Sequence, residues 1–331
     1  KKPVGSGPYR AVKINPNFCA QVGRAPTYTH GSATKPAGKV EFFHAVPVRE
    51  VQTQIALLLT GGLDVAYRVP KDQLLVMGNN PNLEVTVQQT LGIYYLALDA
   101  VNRSGNKALS DIRVREAIWL AVDRDALRSQ TIPGAENLPN IPALCFKFQD
   151  GCDYSTSPPS HDLVKAKKLL AEAGYAKGFD LVITTNQPVN LAEAVAGQLR
   201  KVGVRAKVQR LTMGAYRKRQ RQGKIQALVG GFASGSLLDV NSTINFFFSK
   251  SPRNYWRDKV IADAISRGEQ AFDDKKRRAI YKVGQDRINT QRYIQVLTPR
   301  PEAFLHAKGL KFSSQGRYAV GGFNINGLEW K

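Results

Sequence analysis

Residues 179–230 have the sequence FDLVITTNQPVNLAEAVAGQLRKVGVRAKVQRLTMGAYRKRQRQGKIQALVG, which is the most informative part of the chain about its architecture. It contains three β-prone segments: FDLVITT, VRAKVQRL and KIQALVG. Between them lie two segments with helical apolar spacing, which end at Gly203 and Gly223, the residue type that commonly follows a helix. Strands that alternate with helices through short joints fold by right-handed crossovers onto a mostly parallel sheet. The sequence therefore predicts an α/β protein.

A ligand site is predicted where these strands end. Ligands of open parallel sheets bind beyond the carboxyl ends of the strands, here TTNQ at 184–187 and GGFASGSLLDVNS at 230–242. Glycines let the backbone approach a ligand, and Phe232, Ser234 and Asp239 supply an apolar face and hydrogen-bonding groups. The alternative is a glycine-bearing loop that only reconnects the chain.

Length and charge set the broad class. A chain of 331 residues predicts two domains or lobes. The net charge of +22 is compatible with nucleic acid, acidic lipid or an anionic ligand as a partner, or with a basic, solubilising surface. The basic runs YRKRQRQGK and DDKKRR fall on predicted helices with solvated polar faces and lack a stacking-aromatic signature. We therefore predict no nucleic-acid partner.

Residue patterns of metal, nucleotide and catalytic sites are missing. The four histidines form no HExxH or i, i+4 pair, there is no GxSxG elbow, and GGFASGS lacks the Lys-Ser/Thr of a phosphate loop. The sequence thus predicts no enzyme, no cofactor and no metal. Cys145 and Cys152 flank FKFQDG, and they form either a small disulfide-closed loop or two ordinary thiols.

The remaining pattern predicts further elements. VTVQQTLGIYYLALDA is predicted as one β segment, and helices are predicted over 110–130, 160–174, 259–270 and 273–290. Ser110 or Asp111 is expected to cap the first of these helices and Ser160 the second. Arg115 is predicted to lie on the polar face of the first.

Several of these segments together resemble the oligopeptide-type, family 5 solute-binding proteins of ABC importers. PVGSGPYRAV resembles their GTGPY segment, and VQTQIALLLTGGLDVAYRVP their "L..GevDva..lp" segment. The most specific match is YYLALDAVNRSGNKALSDIRVREAIWLAVDRDAL, similar to "yl.fN…f.d.rVRqAi.yAiDrdal". DLVKAKKLLAEAGY and the stretch from LVITTN to QLRKVGVRAKVQ match as well, so that the resemblance covers nearly the whole chain.

This resemblance implies a periplasmic-binding-protein-like α/β fold of type II, cluster C-like, with two lobes, a hinge and a ligand enclosed between the lobes. The lobes are expected at 1–93 plus 306–331 and at 94–305, with hinges near 94–98 and 304–308. Family members are longer, so we expect that the N-terminal part of the first lobe is missing and that an N-terminal segment of the same protein is a partner. The remaining first lobe should then show exposed apolar surface.

The resemblance also implies ligand contacts, and one departure from it matters. Peptide-binding members commonly carry an aromatic residue followed closely by an Asp that receives the α-amino group. Here Phe232 is followed by Ala233, Ser234 and Gly235, which lowers the expectation of peptide and raises that of sugars, opine-like conjugates or anionic solutes. Arg68 is a candidate for a ligand carboxylate or phosphate. The predicted ligand-binding residues are Tyr67, Arg68, Tyr94, Thr185, Asn186, Phe232, Ser234 and Asp239.

The function implied is solute capture for a membrane permease. The partners expected are a small-molecule or peptide ligand and the transmembrane subunits of an ABC permease. The protein would be periplasmic or extracellular, associated with the membrane through the transporter. The alternative is a basic interaction module that binds an acidic partner, nucleic acid or an anionic membrane.

Overall fold

The structure is a computed structural model that describes residues 5–15, 19–28, 31, 37–233, 237–312 and 325–331. The chain forms two compact units, which we name the split unit (residues 1–90 and 301–331) and the continuous unit (residues 91–300). Compared with the predicted lobes, residues 91–93 lie in the continuous unit and 301–305 in the split unit. That these units act as the two lobes stays a prediction.

The secondary structure alternates between short strands and helices. The strands are β1 (Tyr9–Asn15), β2 (Cys19–Arg24), β3 (Phe42–Ala45), β4 (Val65–Tyr67), β5 (Leu83–Gln88), β6 (Gly92–Leu98), β7 (Asp180–Thr185), β8 (Arg205–Arg210), β9 (Ala227–Ala233), β10 (Ile294–Pro299), β11 (Glu302–Ala307), β12 (Leu310–Phe312) and β13 (Leu328–Trp330). The α-helices are α1 (Val51–Leu59), α2 (Lys71–Met77), α3 (Ile112–Ala121), α4 (Arg124–Thr131), α5 (Leu163–Glu172), α6 (Val189–Arg200), α7 (Met213–Arg221), α8 (Asn241–Phe248), α9 (Lys259–Glu269) and α10 (Asp274–Thr290).

The continuous unit is built on a five-stranded sheet in the order β10-β6-β9-β7-β8. β7 pairs in parallel with both β8 and β9, whereas β6 runs antiparallel to β9 and β10. The three strands of residues 179–230 are therefore neighbours, as their pattern predicts, and the α/β fold class is confirmed. Helices α3, α4, α5 and α6 contribute buried side chains to the core on this sheet, with Trp119 and Ile183 both fully buried.

Two glycines close the turns that lead into β7 and β8. Gly203 has φ +92° and follows the end of α6, a conformation in which an L side chain is strained. A Cβ on Gly178 would lie 1.8 Å from the carbonyl oxygen of Gly203. Only glycine at 178 lets these two turns approach so closely.

Two local predictions about helices are wrong. Asp162, not Ser160, caps α5, because its carboxylate accepts a hydrogen bond from the Lys165 amide. Arg115 does not face solvent. Its guanidinium donates to the carbonyl oxygens of Leu109 (2.8 Å) and Gln291 (3.0 Å), and burial lowers its pKa. Hydrogen bonds to backbone carbonyls at helix ends replace the water that this arginine has lost.

The described part of the split unit contains the sheets β1-β2-β3, β4-β11-β5 and β12-β13, and the central strand of the second comes from the far end of the chain. The predicted single β segment is in fact two strands, β5 in this unit and β6 in the continuous unit. A small buried cluster lies on the β4-β11-β5 sheet: Ile55, Leu58, Ala66, Val69, Leu74, Leu83 and Leu305. Exposed apolar side chains of the described part of the split unit are Val12, Ile14, Phe42, Val46, Leu59, Leu75, Val76, Val85, Val87 and Trp330.

Candidate functional site

The candidate site is the edge of the five-stranded sheet at which β7, β8, β9 and β10 end and β6 begins. Four carboxyl ends on one edge leave backbone groups and loop side chains directed beyond the sheet. The residues at this edge come from distant parts of the sequence, including the starts and ends of strands at 92–94, 185, 210, 232 and 299.

Tyr94, Gly231 and Arg300 form the centre of this edge. Tyr94 pairs directly with Gly231 across β6 and β9, and the Arg300 guanidinium carbon lies 5.8 Å from the centroid of the Tyr94 ring. A Cβ on Gly231 would lie 3.0 Å from Cε1 of Tyr94 and 3.6 Å from Nη1 of Arg300. Glycine at 231 thus leaves room for a half-buried tyrosine ring with a cation at its face.

Phe232 lies on the opposite face of the sheet, since neighbouring residues of a strand point to opposite sides. Its ring packs at 4.7 Å from Phe246 and 5.4 Å from Phe247 on α8. The Arg253 guanidinium carbon lies 5.3 Å from the Phe246 ring centroid. Phe232 is therefore half-buried in an aromatic cluster, with part of its surface open at the edge.

Thr185 and Asn186 differ in their access to solvent. Thr185 is fully buried, and its Oγ1 has no hydrogen-bond partner among the residues that the structure describes. Asn186 is half-buried, and its Nδ2 lies 3.7 Å from the sulfur of Met213 at the start of α7. Of this pair, only Asn186 has surface available to a ligand in this conformation.

Asp239 is held by the protein itself, whereas Ser234 lies outside the described residues. One oxygen of the Asp239 carboxylate accepts from Nη2 of Arg277 at 2.9 Å and from the amide of Asn241 at 2.8 Å. This bond raises the pKa of Arg277. The Asp239 carboxylate therefore already has a counter-charge, which weakens the case for it as a direct ligand contact.

A disulfide loop supports the segment around Asp239. Cys145 and Cys152 are joined, with their Cα atoms 5.9 Å apart, so the first of the two alternatives left open by the sequence is the one observed. Asp150 within that loop donates its amide to Leu238 (2.7 Å) and accepts from Val240 (3.0 Å). Backbone hydrogen bonds thus attach the loop after β9 to the loop that the disulfide closes.

Tyr67 and Arg68 lie in the split unit. Tyr67 pairs with Phe304 on β11, its ring is 5.6 Å from that of Phe304, and its amide donates to Oε1 of Gln54. Burial raises the pKa of the Tyr67 phenol, and the charge of Glu302 raises it further. Arg68 has φ 61°, in the left-handed region where a side-chain-bearing residue is strained, as are Asn102, Arg257 and Arg292.

A cleft of about 680 Å³ opens beside Tyr67, lined mainly by apolar side chains of the split unit, among them Phe42, Val46, Leu328 and Trp330. Sequence inspection missed this cleft, because its walls come from both ends of the chain. It also missed Arg300. Arg300 lies in the run Pro299-Arg300-Pro301, directly after the strand-like segment YIQVLT, and this position was the signal that could have pointed to it. The sequence does not show, however, that β10 lies next to β6 in the sheet, which is what brings Arg300 to Tyr94.

Two kinds of feature are not found within the described ranges. No three histidine, cysteine, aspartate or glutamate side chains there are grouped to hold a metal ion. In the same ranges, no helix combines the length and the apolar character that crossing a bilayer would require.

Known proteins share both the sequence pattern and the fold. The sequence model described as "Bacterial extracellular solute-binding proteins, family 5 Middle" matches residues 1–255. The glutathione-binding protein GsiB of Shigella flexneri serotype 5b is 25% identical over 307 residues, which cover 86% of this chain and 57% of that protein. This chain thus spans little more than half the length of that curated relative.

Solved structures agree on the fold. The substrate-binding protein CtaP of Listeria monocytogenes superposes with a TM-score of 0.84 at 18% identity, covering 100% of this chain and 67% of its own. DppA of Helicobacter pylori, solved with the peptide STSA, gives 0.78 at 21% identity, with 99% and 64% coverage. These likenesses confirm the type II periplasmic-binding-protein fold. Because the family model covers most of the sequence, the chain belongs to the bacterial extracellular solute-binding proteins of family 5.

Proposed function

We propose that this chain is part of the solute-binding component of an ABC importer, which captures a small polar solute or peptide and delivers it to the transmembrane subunits of the permease. Membership of family 5 supports solute binding rather than catalysis, and it supports a periplasmic or extracellular location. In this proposal the split and continuous units are the two lobes, and the sheet edge at Tyr94 and Gly231 is part of the ligand site.

The observation that carries this proposal is the arrangement of Arg300 at the face of Tyr94 beside Gly231. A guanidinium next to an aromatic face and an open glycine backbone suits a flat carboxylate better than an ammonium group. The nearest carboxylate on the loop after β9, that of Asp239, is occupied by Arg277. We therefore propose a solute with at least one carboxylate, and glutathione, which the curated relative is named for binding, is the first compound to test.

Calorimetric titration of the purified protein tests this. Glutathione, the peptide STSA, an opine and a neutral disaccharide are compared, and we expect binding only of compounds with a carboxylate. Arg300→Gln should weaken that binding by roughly 10- to 100-fold, the usual effect of losing one charge-assisted hydrogen bond. The exposed Arg267→Gln, which removes the same charge far along α9, is the matched control.

Gly231→Ala gives a second, independent probe, since its methyl group must displace the Tyr94 ring. Binding should fall while the melting temperature stays near that of the parent. Equal affinity for carboxylate and neutral compounds would contradict the proposed solute class. Failure of every class of compound to bind would contradict the proposed function itself.

A further inference from the structure

One stretch of the continuous unit contains basic residues and no acidic ones. Between Glu193 and Asp239 the sequence contains no aspartate or glutamate. The same stretch contains the residues that we name the basic strip: Arg200, Lys201, Arg205, Lys207, Arg210, Arg217, Lys218, Arg219, Arg221 and Lys224. The other basic run of the unit is different, because Lys275 and Lys276 follow Asp273 and Asp274 directly.

The basic strip comes from three elements that follow one another along the chain. It runs over the end of α6, the edge strand β8 and helix α7. Nη1 of Arg200 donates to the carbonyl of Ala206 on β8 at 3.2 Å, and Nη1 of Arg219 donates to Oε1 of Gln209 on β8 at 2.6 Å. These bonds link both helices to the edge strand, so that the charges of all three elements border that strand.

These charges are exposed and largely unneutralised. All members of the strip are exposed except Arg219, which is half-buried. Across the part of the chain that the structure describes, only Arg205 has a carboxylate within ion-pair distance, that of Asp180 at 2.8 Å. Charges of one sign that lie closer together than the Debye length add their potentials, and the sum attracts an anionic surface.

We propose that the basic strip binds the phosphate headgroups of an anionic phospholipid bilayer. An anionic bilayer presents a continuous layer of phosphate charges, and a cluster of several lysine and arginine side chains is the kind of surface that binds such a layer. Nucleic acid fits less well, because the aromatic residue of the strip region, Tyr216, is buried and offers no stacking face. The proposal does not depend on which solute the protein carries.

Vesicle sedimentation tests the proposal on the purified chain. We expect the protein to pellet with vesicles of phosphatidylglycerol and phosphatidylcholine at low salt, not with vesicles of phosphatidylcholine alone, and to be released as salt rises. Each basic residue near such a leaflet changes the partition coefficient about five-fold, so that replacing four should lower it roughly 100-fold or more. The test variant carries Arg217→Gln, Lys218→Gln, Arg221→Gln and Lys224→Gln.

A matched control removes the same charge elsewhere. Its substitutions are at exposed lysines of α5, α9 and α10: Lys167→Gln, Lys168→Gln, Lys259→Gln and Lys275→Gln. This control should keep vesicle binding within a few-fold of the parent. An equal loss in both variants would show that only net charge matters, and it would overturn the proposal.

A fluorescent label gives a readout that needs no charge change. With Cys19→Ser in the background, an environment-sensitive dye on Gln222→Cys at the end of α7 should shift to the blue on adding phosphatidylglycerol vesicles. The same dye on Val164→Cys, an 82% exposed site on α5, should not shift. The absence of a shift at 222, or binding to duplex DNA without binding to vesicles, would overturn the proposal.

Discussion

The two units of this protein differ most in how their cores are assembled. Among the described residues, the core cluster on the five-stranded sheet of the continuous unit contains thirty buried apolar residues, whereas the cluster on the β4-β11-β5 sheet of the split unit contains seven. The first sheet is built mainly from strands that follow one another closely, and the second takes its central strand from residues 302–307. A core made from local elements is both larger here and easier to recognise in the sequence, which suggests that the continuous unit carries most of the stability.

Truncation of a core side chain should change the stability most, and it tests the difference between the two units directly. Trp119→Ala removes a fully buried ring from the continuous unit and should lower its free energy of unfolding by about 3–5 kcal/mol. Leu58→Ala in the split unit should cost about 2 kcal/mol, and its exposed neighbour Leu59→Ala almost nothing. Hydrogen exchange followed by mass spectrometry measures each unit separately. Equal loss of protection in both units from Trp119→Ala would mean that they unfold as one.

Loss of the disulfide should give the next largest decrease in stability. The variant with Cys145→Ser and Cys152→Ser no longer closes a short loop in the denatured state, which should lower the free energy of unfolding by about 2–3 kcal/mol. The exchange of amides at 237–240 should rise first, because Asp150 holds that segment. Thermal unfolding of the variant is compared with that of the parent under oxidising conditions. An unchanged melting temperature would show that packing alone holds the loop.

A charged anchor of the continuous unit should give a smaller effect. Asp286 accepts hydrogen bonds from the amides and hydroxyls of Ser155 and Thr156 and from Lys282. Burial raises the pKa of Asp286, but the hydrogen bonds from Lys282 and Ser155 outweigh it and hold the pKa well below its usual range. Asp286→Asn should therefore lower the free energy of unfolding by about 1–2 kcal/mol at neutral pH.

The pH dependence at this carboxylate sharpens that test. A lowered folded-state pKa means that its contribution is complete above the unfolded value of about 4 and disappears as the pH falls below it. Denaturant titrations at pH 7 and pH 3 should therefore differ less for Asp286→Asn than for the parent. Asp263→Asn, on an exposed pair with Arg267, serves as the control and should behave like the parent.

The smallest expected change is in the stability of the split unit at mildly acidic pH. His306 is buried on β11, where Nε2 is 2.9 Å from the Thr86 hydroxyl, the Phe312 ring packs at 4.8 Å, and Glu84 is the nearby charge. Burial lowers the pKa of His306, so below pH 6.5 the unfolded chain binds a proton that the folded unit does not.

Stability of the split unit should consequently decline as the pH falls through 6.5, and it should level off below the folded-state pKa. Hydrogen exchange of β5 and β11 over this range measures it. His306→Gln should flatten the dependence. A dependence that persists in this variant would assign it to another group.

The sequence predicted what local pattern controls and missed what distant partners control. β7, α6, β8, α7 and β9 follow the predicted order because apolar spacing and glycine stops act within a few residues. The alternation alone did not divide the segment into β5 and β6, since alternation cannot tell which sheet a strand joins. Buried Arg115 was missed because its acceptor at Gln291 is remote in sequence. The helix α8 was not predicted, because its three consecutive phenylalanines do not show the apolar spacing of an amphipathic helix.

The candidate site was predictable in position more than in composition. The rule that ligands bind beyond parallel strand ends indicated the loop after β9, but the engagement of Asp239 by Arg277 depends on how α10 packs. The arrangement of Arg300 at Tyr94 depends on β6 lying between β9 and β10. Such neighbours cannot be inferred from spacing along a single chain.

The hydrogen bond between the amide of Arg300 and the carbonyl of Gly92 has a consequence for how the chain acquires its fold during synthesis. β11 must pair with β5 although the whole continuous unit separates them, a closure that is entropically costly for an unfolded chain. Residues 91–300, which form the continuous unit, leave the ribosome before residue 302. Once folded, it holds its two ends side by side, which turns a long-range search into a short one. Strand β11 can then pair with β5 as if the two strands were consecutive in the sequence.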